Sequence, residues 1–261
     1  MNKTLKYILL SLCATALVVC IGCSFAAGKK GRNAVKCEHL EICIKDSMTN
    51  SFINKADVKK YLDRGYGVYI GVALDSIDLT KIEKIVDGRS AVLKSQAYVT
   101  KDGTLHVDIL QREPVVRFQK QDGGFYADAE GYIFPLQSSY ASHVQIIDGN
   151  IPLAANSGYK GEIKDPKELE WFRKIMDLVN YIDDNKTWRG KFVQIHVGQN
   201  KDIILIPREG NERFIIGQPD ELEEKFMKMK KYYTHIIPAK GENHYRTVDL
   251  KYQGQIVCRK K

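Results

Sequence analysis

The residue types that most often perform chemistry are present in this chain, but their spacing does not build a site. The histidines are scattered, at positions 39, 106, 143, 196, 235 and 244. None belongs to an H-E-x-x-H motif or to a pair spaced for a metal ion on one helix face. His196 alternates with Ile195 and Val197, which predicts a solvent-facing side chain on a strand and not a general base. The histidines therefore predict neither a catalytic centre nor a metal centre.

The acidic and small residues lead to the same result. Asp183 and Asp184 end a predicted helix among lysines and arginines, which favours a solvated helix end over a metal pair. No helix that begins with Lys-Ser or Lys-Thr follows Gly123 and Gly124, so they do not form a phosphate-binding loop. No serine lies in a nucleophile-elbow motif. We predict that the protein is not an enzyme and has no catalytic residue, cofactor, metal or small-molecule substrate.

Composition narrows the possible partners. The 261 residues carry a formal charge of +8, with 44% hydrophobic and 28% charged residues, which is typical of a folded globular protein. Basic residues are concentrated at 29–36 and 259–261, where they could attract anionic lipid or nucleic acid. No nucleic-acid-binding motif accompanies them, so nucleic acid is not an expected partner. The cysteines, at 13, 20, 23, 37, 43 and 258, show no disulfide or metal spacing.

The N-terminal stretch 7–27 is apolar or small throughout and is flanked by lysines and arginines. It is long enough to cross a bilayer core of about 30 Å at about 1.5 Å per residue. Three interpretations fit the residues. The stretch is a signal anchor, a signal peptide cleaved near Ser24-Phe25-Ala26, or a lipoprotein signal that uses Cys23. The flanking charges do not decide its orientation, because more lysines and arginines follow it than precede it.

The next segment predicts a small mixed domain. A strand over 35–44 precedes two helices that begin after Asn54 and Asp78, both good N-caps. A strand containing Leu93, Ala97 and Val99 then leads to Asp102-Gly103, a dipeptide typical of hairpin turns in which both residues have positive φ. Leu105, Val107 and Ile109 alternate after the turn. The predicted order is strand, helix, helix, strand, strand.

A second domain is predicted from the residues that follow. Pro114 interrupts strand pairing and keeps the chain extended, so Arg112 and Pro114 are predicted to form the inter-domain junction and to set the placement of the two domains. Strands follow, and Asp165-Pro166 begins a helix that runs to about Asp183. A last helix follows residue 220. Near the C-terminus, Val248, Leu250 and Tyr252 are predicted to lie on one face of a strand. Val248 and Leu250 are predicted to be buried, Tyr252 to be partly exposed near the end of the strand, and Asp249 to face water.

Three motifs carry a resemblance to a known family. The run ILQREPVVR (109–117) and the hairpin FYADAEGYIFP (125–135) resemble the domain junction of the bacterial cell-division family FtsQ (DivIB). VDLKYQG (248–254) is similar to a V-D-L-R-Y-x-x-G motif near the end of that family's β-domain, with a lysine for the arginine and one residue fewer before the glycine. Residues 205–225 follow the family's order of hairpin and then helix.

The resemblance implies an α+β fold with a single N-terminal transmembrane helix, a POTRA-like β-α-α-β-β domain and a mostly antiparallel β-domain with two helices. The corresponding ranges are a cytoplasmic tail at 1–6, the helix at 7–27, the POTRA-like domain at 35–112 and the β-domain at 113–261. The implied localisation is the inner membrane at the division septum, with the bulk of the chain in the periplasm.

The implied function is that of a non-enzymatic scaffold of the divisome, the bacterial cell-division complex. It would bind the FtsB–FtsL pair by strand addition at the C-terminal edge of the β-domain. The positions that match the family motif are Tyr252 and Gly254, with Ile256 as a neighbour. The alternative is a POTRA-bearing assembly factor or a lipoprotein chaperone that handles extended client strands.

Overall fold

The computed structural model describes residues 12, 15–24, 35–45, 51–137 and 140–260. The chain divides into two compact units, Met1–Gln111 and Arg112–Lys261. Residues 15–24 are helical, whereas the predicted tail 1–6 and much of the predicted span 7–27 lie outside the described residues. Within the described part of the chain, no helix is both long enough and apolar enough to cross a membrane.

The first unit has the predicted order of strands and helices. Its elements are β1 (His39–Ile44), α1 (Lys55–Gly65), a 3-10 turn (Leu74–Ser76), α2 (Leu79–Asp87), β2 (Val92–Val99) and β3 (Thr104–Gln111). The sheet order is β1-β3-β2, with β1 parallel and β2 antiparallel to β3. Both predicted caps are confirmed, because the Asn54 side chain accepts from the Asp57 amide and the Asp78 side chain from the Lys81 amide.

One local prediction in this unit was wrong. Of the turn residues Asp102 and Gly103, only Gly103 has positive φ, at +86°. The amide of Gly103 donates to the carbonyl of Thr100, so Gly103 completes a longer turn that Lys101 and Asp102 form with ordinary φ. Leu93 lies on β2, as predicted, and is 48% exposed beside a register shift between Val92 and Lys94 that leaves Val92 buried.

The second unit is built on one wide sheet. Its strands are β4 (Val116–Lys120), β5 (Gly123–Ala127), β6 (Tyr132–Pro135), β7 (Gln145–Gly149), β8 (Gly161–Glu162), β9 (Phe192–Val197), β10 (Ile203–Pro207), β11 (Arg213–Gly217), β12 (Thr247–Asp249) and β13 (Val257–Arg259). The ten-stranded order is β13-β12-β11-β10-β9-β7-β4-β5-β6-β8. Most neighbouring pairs are antiparallel, as predicted; the parallel pairs are β4–β7, β7–β9 and β11–β12.

Helices α3 (Pro166–Asp184) and α4 (Leu222–Lys231) supply the side chains that cover one face of this sheet. Their apolar stripes bury Phe172, Ile175 and Val179 from α3 and Phe226 and Met229 from α4. The prediction of two helices was incomplete, because α4 continues through a π-helical turn (Tyr232–Ile236) into a short α5 (Ile237–Lys240). The start of α3 is as predicted, since Asp165 accepts from the amides of Lys167 and Glu168.

The Asp165 cap gives a direct test of this helix start. Asp165→Ala removes the acceptor for two amides, so we expect a loss of about 1 kcal/mol in the free energy of unfolding, measured by urea denaturation. Asp165→Asn keeps a side-chain acceptor and should retain most of the stability. Equal losses in the two variants would mean that the cap is not the source of the stabilisation.

Candidate partner-binding edge

The last two strands form one end of the ten-stranded sheet. β12 is parallel to β11 and antiparallel to β13, with Val248 opposite Cys258. β13 pairs only with β12 among the described strands, so its other edge is not covered by a strand. An end strand offers main-chain donors and acceptors to another chain unless something blocks them. This edge is therefore the candidate site for a partner.

The residues predicted for the site do not lie on a strand. β12 ends at Asp249, and Tyr252, Gly254 and Ile256 lie in the loop 250–256 that joins it to β13, here called the C-terminal loop. The expected alternation of Val248, Leu250 and Tyr252 stops there: the first two are fully buried, whereas Tyr252 is 51% exposed. The reason is a tight turn, in which the Gln255 amide donates to the Tyr252 carbonyl and Gly254 has φ of +64°.

Helix α4 holds the C-terminal loop from one side. The ammonium group of Lys228, a residue that is 6% exposed, donates to the carbonyl oxygens of Leu250 at 2.6 Å and Tyr252 at 2.8 Å. The same nitrogen lies 3.3 Å from a carboxylate oxygen of Glu224. That oxygen also accepts from the Gly254 amide at 3.5 Å. These contacts fix the loop that carries Tyr252.

A second ion pair holds the start of the loop. The Nζ of Lys251 lies 2.8 Å from Asp202 Oδ2 and 3.9 Å from Asp249 Oδ2. The hydrogen bond to Asp202 raises the pKa of Lys251. The expectation that Asp249 faces water was wrong: it is 7% exposed, and its carboxylate accepts from the Lys251 amide at 3.1 Å. The alternation of residues along the strand could not predict the ion pair of Lys251, because Asp202 comes from a distant part of the chain.

The predicted junction residues have clear partners within the second unit. Arg112 donates to Asp128 Oδ2 at 2.7 Å, and its guanidinium carbon lies 3.4 Å from the centre of the Tyr132 ring. The other oxygen of Asp128 accepts from the Tyr132 amide at 2.8 Å. Pro114 is buried and immediately precedes Val115, whose amide donates to the carbonyl of Ala127. The role of Arg112 and Pro114 in placing the two domains stays a prediction.

A family model described as FtsQ/DivIB, C-terminal related, matches residues 113–259. It covers more than half of the chain. The chain belongs to the FtsQ/DivIB family. A model of the POTRA-like domain matches residues 35–110. Among curated proteins, none matches the chain.

Membership confirms the resemblance seen in the sequence and the predicted combination of a POTRA-like domain with a large β-sheet domain. FtsQ/DivIB is a family of non-enzymatic scaffolds associated with cell division and with divisome proteins. The edge of β13 and the C-terminal loop both lie inside the matched range.

His196, which the sequence predicts to be a strand residue and not a general base, lies beside one carboxylate. His196 Nδ1 lies 2.8 Å from Asp148 Oδ1, because β7 and β9 pair with these residues side by side. The His196 side chain is 37% exposed, in agreement with the predicted strand alternation. Across the described ranges, no group of three or more histidines, cysteines or acids could hold a metal ion.

Sequence reasoning missed the residues that hold the edge in place. The Glu224–Lys228 pair has i,i+4 spacing, a signal that could have been read as an ion pair on one helix face. Nothing in the sequence links Lys228 to the main chain of Leu250 and Tyr252, which lie beyond a second helical segment and a strand. The turn that carries Tyr252 and the positive φ of Gly254 were also not predicted, because the apolar alternation before them indicated a continuous strand.

The Arg112–Asp128 pair can be tested by removing the cation. Arg112→Met would leave a carboxylate with a 5% exposed side chain without its cation, and we expect a loss of about 3 kcal/mol in the free energy of unfolding. The double variant Arg112→Met with Asp128→Asn removes the charge and should recover part of that loss. Urea denaturation of the three proteins measures both effects. A double variant no more stable than Arg112→Met alone would contradict this explanation.

Proposed function

We propose that the protein is a non-enzymatic, membrane-anchored scaffold of the bacterial divisome that binds the FtsB–FtsL pair by strand addition at β13. The observation that carries the proposal is the uncovered edge of β13, at one end of the sheet in the FtsQ/DivIB domain. A partner strand would satisfy the main-chain donors and acceptors of that edge, and side-chain contacts beside it would provide specificity.

The chemistry of the edge suits such a partner. β13 is only three residues long, and Arg259 and Lys260 at its end are exposed. A short, positively charged edge resists pairing with a second copy of itself. It would still attract a partner strand that carries acidic residues, because opposite charges steer association. Selective addition of a different chain is therefore favoured over self-association.

Tyr252 is the proposed anchor beside the edge. Its ring is half-exposed, and aromatic residues contribute strongly to binding when a partner covers them. Gly254 leaves the tip of the C-terminal loop open, since no atom beyond its two chain neighbours lies within 4 Å of where a Cβ would be. Ile256 packs against the core next to β13 and would line the far side of the contact.

The membrane anchor is proposed to be the span 7–27, with residues 29–261 in the periplasm and the protein at the division septum. Its length and apolar composition support an anchor, and the family is associated with the membrane. A septal scaffold anchored in this way would present its β-domain to the periplasmic parts of other divisome proteins. Nucleic acid and small-molecule substrates have no part in this function.

Intact-mass measurement of the purified protein tests the anchor. An uncleaved anchor gives the mass of a chain that retains residues 1–27, without a lipid. A mature chain that starts at Ala27 would show a cleaved signal peptide. A lipid on Cys23 would show a lipoprotein. Either of these results would contradict the proposed anchor.

Partner binding is tested with the full chain in detergent and the purified FtsB–FtsL pair. Tyr252→Ala should weaken binding about tenfold, because truncating an interfacial aromatic anchor costs about 1–2 kcal/mol. The thermal melting temperature should change little, since the ring is half-exposed. Gln253→Ala, at an exposed neighbour in the same loop, is the matched control and should bind like the wild type.

Two proline variants test the strand addition itself. Consecutive main-chain donors of a strand point to opposite sides, so Val257→Pro and Cys258→Pro each remove a donor from a different edge of β13. One variant should lower the melting temperature by breaking the pairing with β12. The other should keep it and lose the partner. If neither folded variant loses binding, the partner does not add a strand to β13.

A further inference from the structure

Two lysines of α4 are almost completely buried. Lys225 is 4% exposed and Lys228 is 6% exposed. Burying an ammonium group is unfavourable unless acceptors replace the water around its three N–H groups. Lys228 has such a set of acceptors: the carbonyl oxygens of Leu250 and Tyr252 and a carboxylate oxygen of Glu224. Two of the three acceptors belong to the main chain of the C-terminal loop.

We propose that Glu224 and Lys228, together called the α4 clamp, are positioning residues that hold the C-terminal loop in the conformation that presents Tyr252 to a partner. The final step, presentation to a partner, rests on the proposed function. The clamp itself is a property of the folded chain. It makes α4, a helix on the covered face of the sheet, a determinant of binding at the sheet edge.

The ion pair of Lys251 with Asp202 holds the start of the loop, and the clamp holds the turn that follows it. The main-chain bond within the loop joins the Gln255 amide to the Tyr252 carbonyl at 3.3 Å. That same carbonyl accepts from Lys228 at 2.8 Å, so two donors restrain the main chain of Tyr252. Glu224 reaches the Gly254 amide on the other side of the turn. The clamp therefore contacts the main chain both at the residue that carries the exposed ring and two residues beyond it.

The positive charge of Lys228 strengthens the hold of the α4 clamp on the loop. If the loop moved away from α4, Lys228 would lose two acceptors and keep only Glu224 in a buried position. The loop is therefore held by the cost of leaving an ammonium group unsatisfied, as well as by the hydrogen bonds themselves. A loop that is already ordered loses less conformational freedom when a partner binds, which strengthens binding without any new contact.

Lys225 supplies a matched control within the same helix. It is buried to the same extent, but its ammonium group donates to the Gln218 carbonyl at 2.8 Å and pairs with Asp220. Those residues precede α4 and are remote in sequence from the C-terminal loop. Lys225→Met and Lys228→Met thus remove equivalent buried charges from one helix. Only the second removes contacts to the loop.

The test compares these two variants with the wild type, using the full chain in detergent. Hydrogen exchange followed by mass spectrometry reports on residues 250–256, a thermal melt reports on global stability, and titration with the purified FtsB–FtsL pair reports on binding. We expect Lys228→Met to raise exchange in the loop about tenfold and to weaken binding about tenfold. Lys225→Met should lower the melting temperature similarly but leave loop exchange and binding unchanged. Lys228→Arg keeps a cation with several donors and should restore part of both effects.

The outcomes separate this proposal from the proposed function. Equal loop exchange in Lys228→Met and Lys225→Met would overturn the clamp, because Lys228 would then be a structural lysine only. Faster exchange with unchanged binding would overturn the positioning role; if Tyr252→Ala still weakened binding, the proposed function would stand. If neither Lys228→Met nor Tyr252→Ala affected binding, the proposed function would fail with it. Should Lys228→Met not fold, Lys228→Gln against Lys225→Gln gives the same comparison.

Discussion

Main-chain hydrogen bonding at the ends of a wide sheet is the constraint on which this structure depends. Every inner strand of the ten-stranded sheet has neighbours on both sides, whereas β8 and β13 have one each among the described strands. Both end strands are short, with two and three residues. Shortness limits unwanted pairing at an edge. At the β13 end, the ion pairs of Lys228 and Lys251 also hold the C-terminal loop in one conformation. This end therefore limits unwanted strand pairing and still presents an ordered surface to a partner.

Two of the buried charges in the second unit share one arrangement. Asp128 receives Arg112 and the Tyr132 amide, and Lys228 donates to two carbonyls of the C-terminal loop. In each case main-chain groups supply part of the hydrogen bonding of a buried charged side chain. A buried charge tolerates little displacement of its partners, since an unsatisfied one is expensive. Such contacts fix the conformation of loops and hairpins, which apolar packing alone specifies less closely.

The sequence predicted features that depend on neighbours along the chain. Asp165-Pro166 and the spacing of apolar residues were sufficient for α3, and the caps at Asn54 and Asp78 were sufficient for the helices of the first unit. Tyr252 was correctly expected to be exposed, but for the wrong reason, because a turn and not a strand end carries it. The burial of Asp249 and the contacts of Lys228 depend on residues far apart in the sequence, and a local pattern of polarity contains no information about them.

The π-helical turn after α4 has a consequence for the spacing of aromatic rings. In a regular α-helix, consecutive side chains diverge by about 100°. Here the adjacent Tyr232 and Tyr233 both contact Phe214, with ring centres 5.4 and 5.5 Å away. A π-helical turn accommodates an extra residue. Deleting one residue between 233 and 236 would remove the π-helical turn and change the directions of the side chains after Tyr233, which a substitution would leave in place.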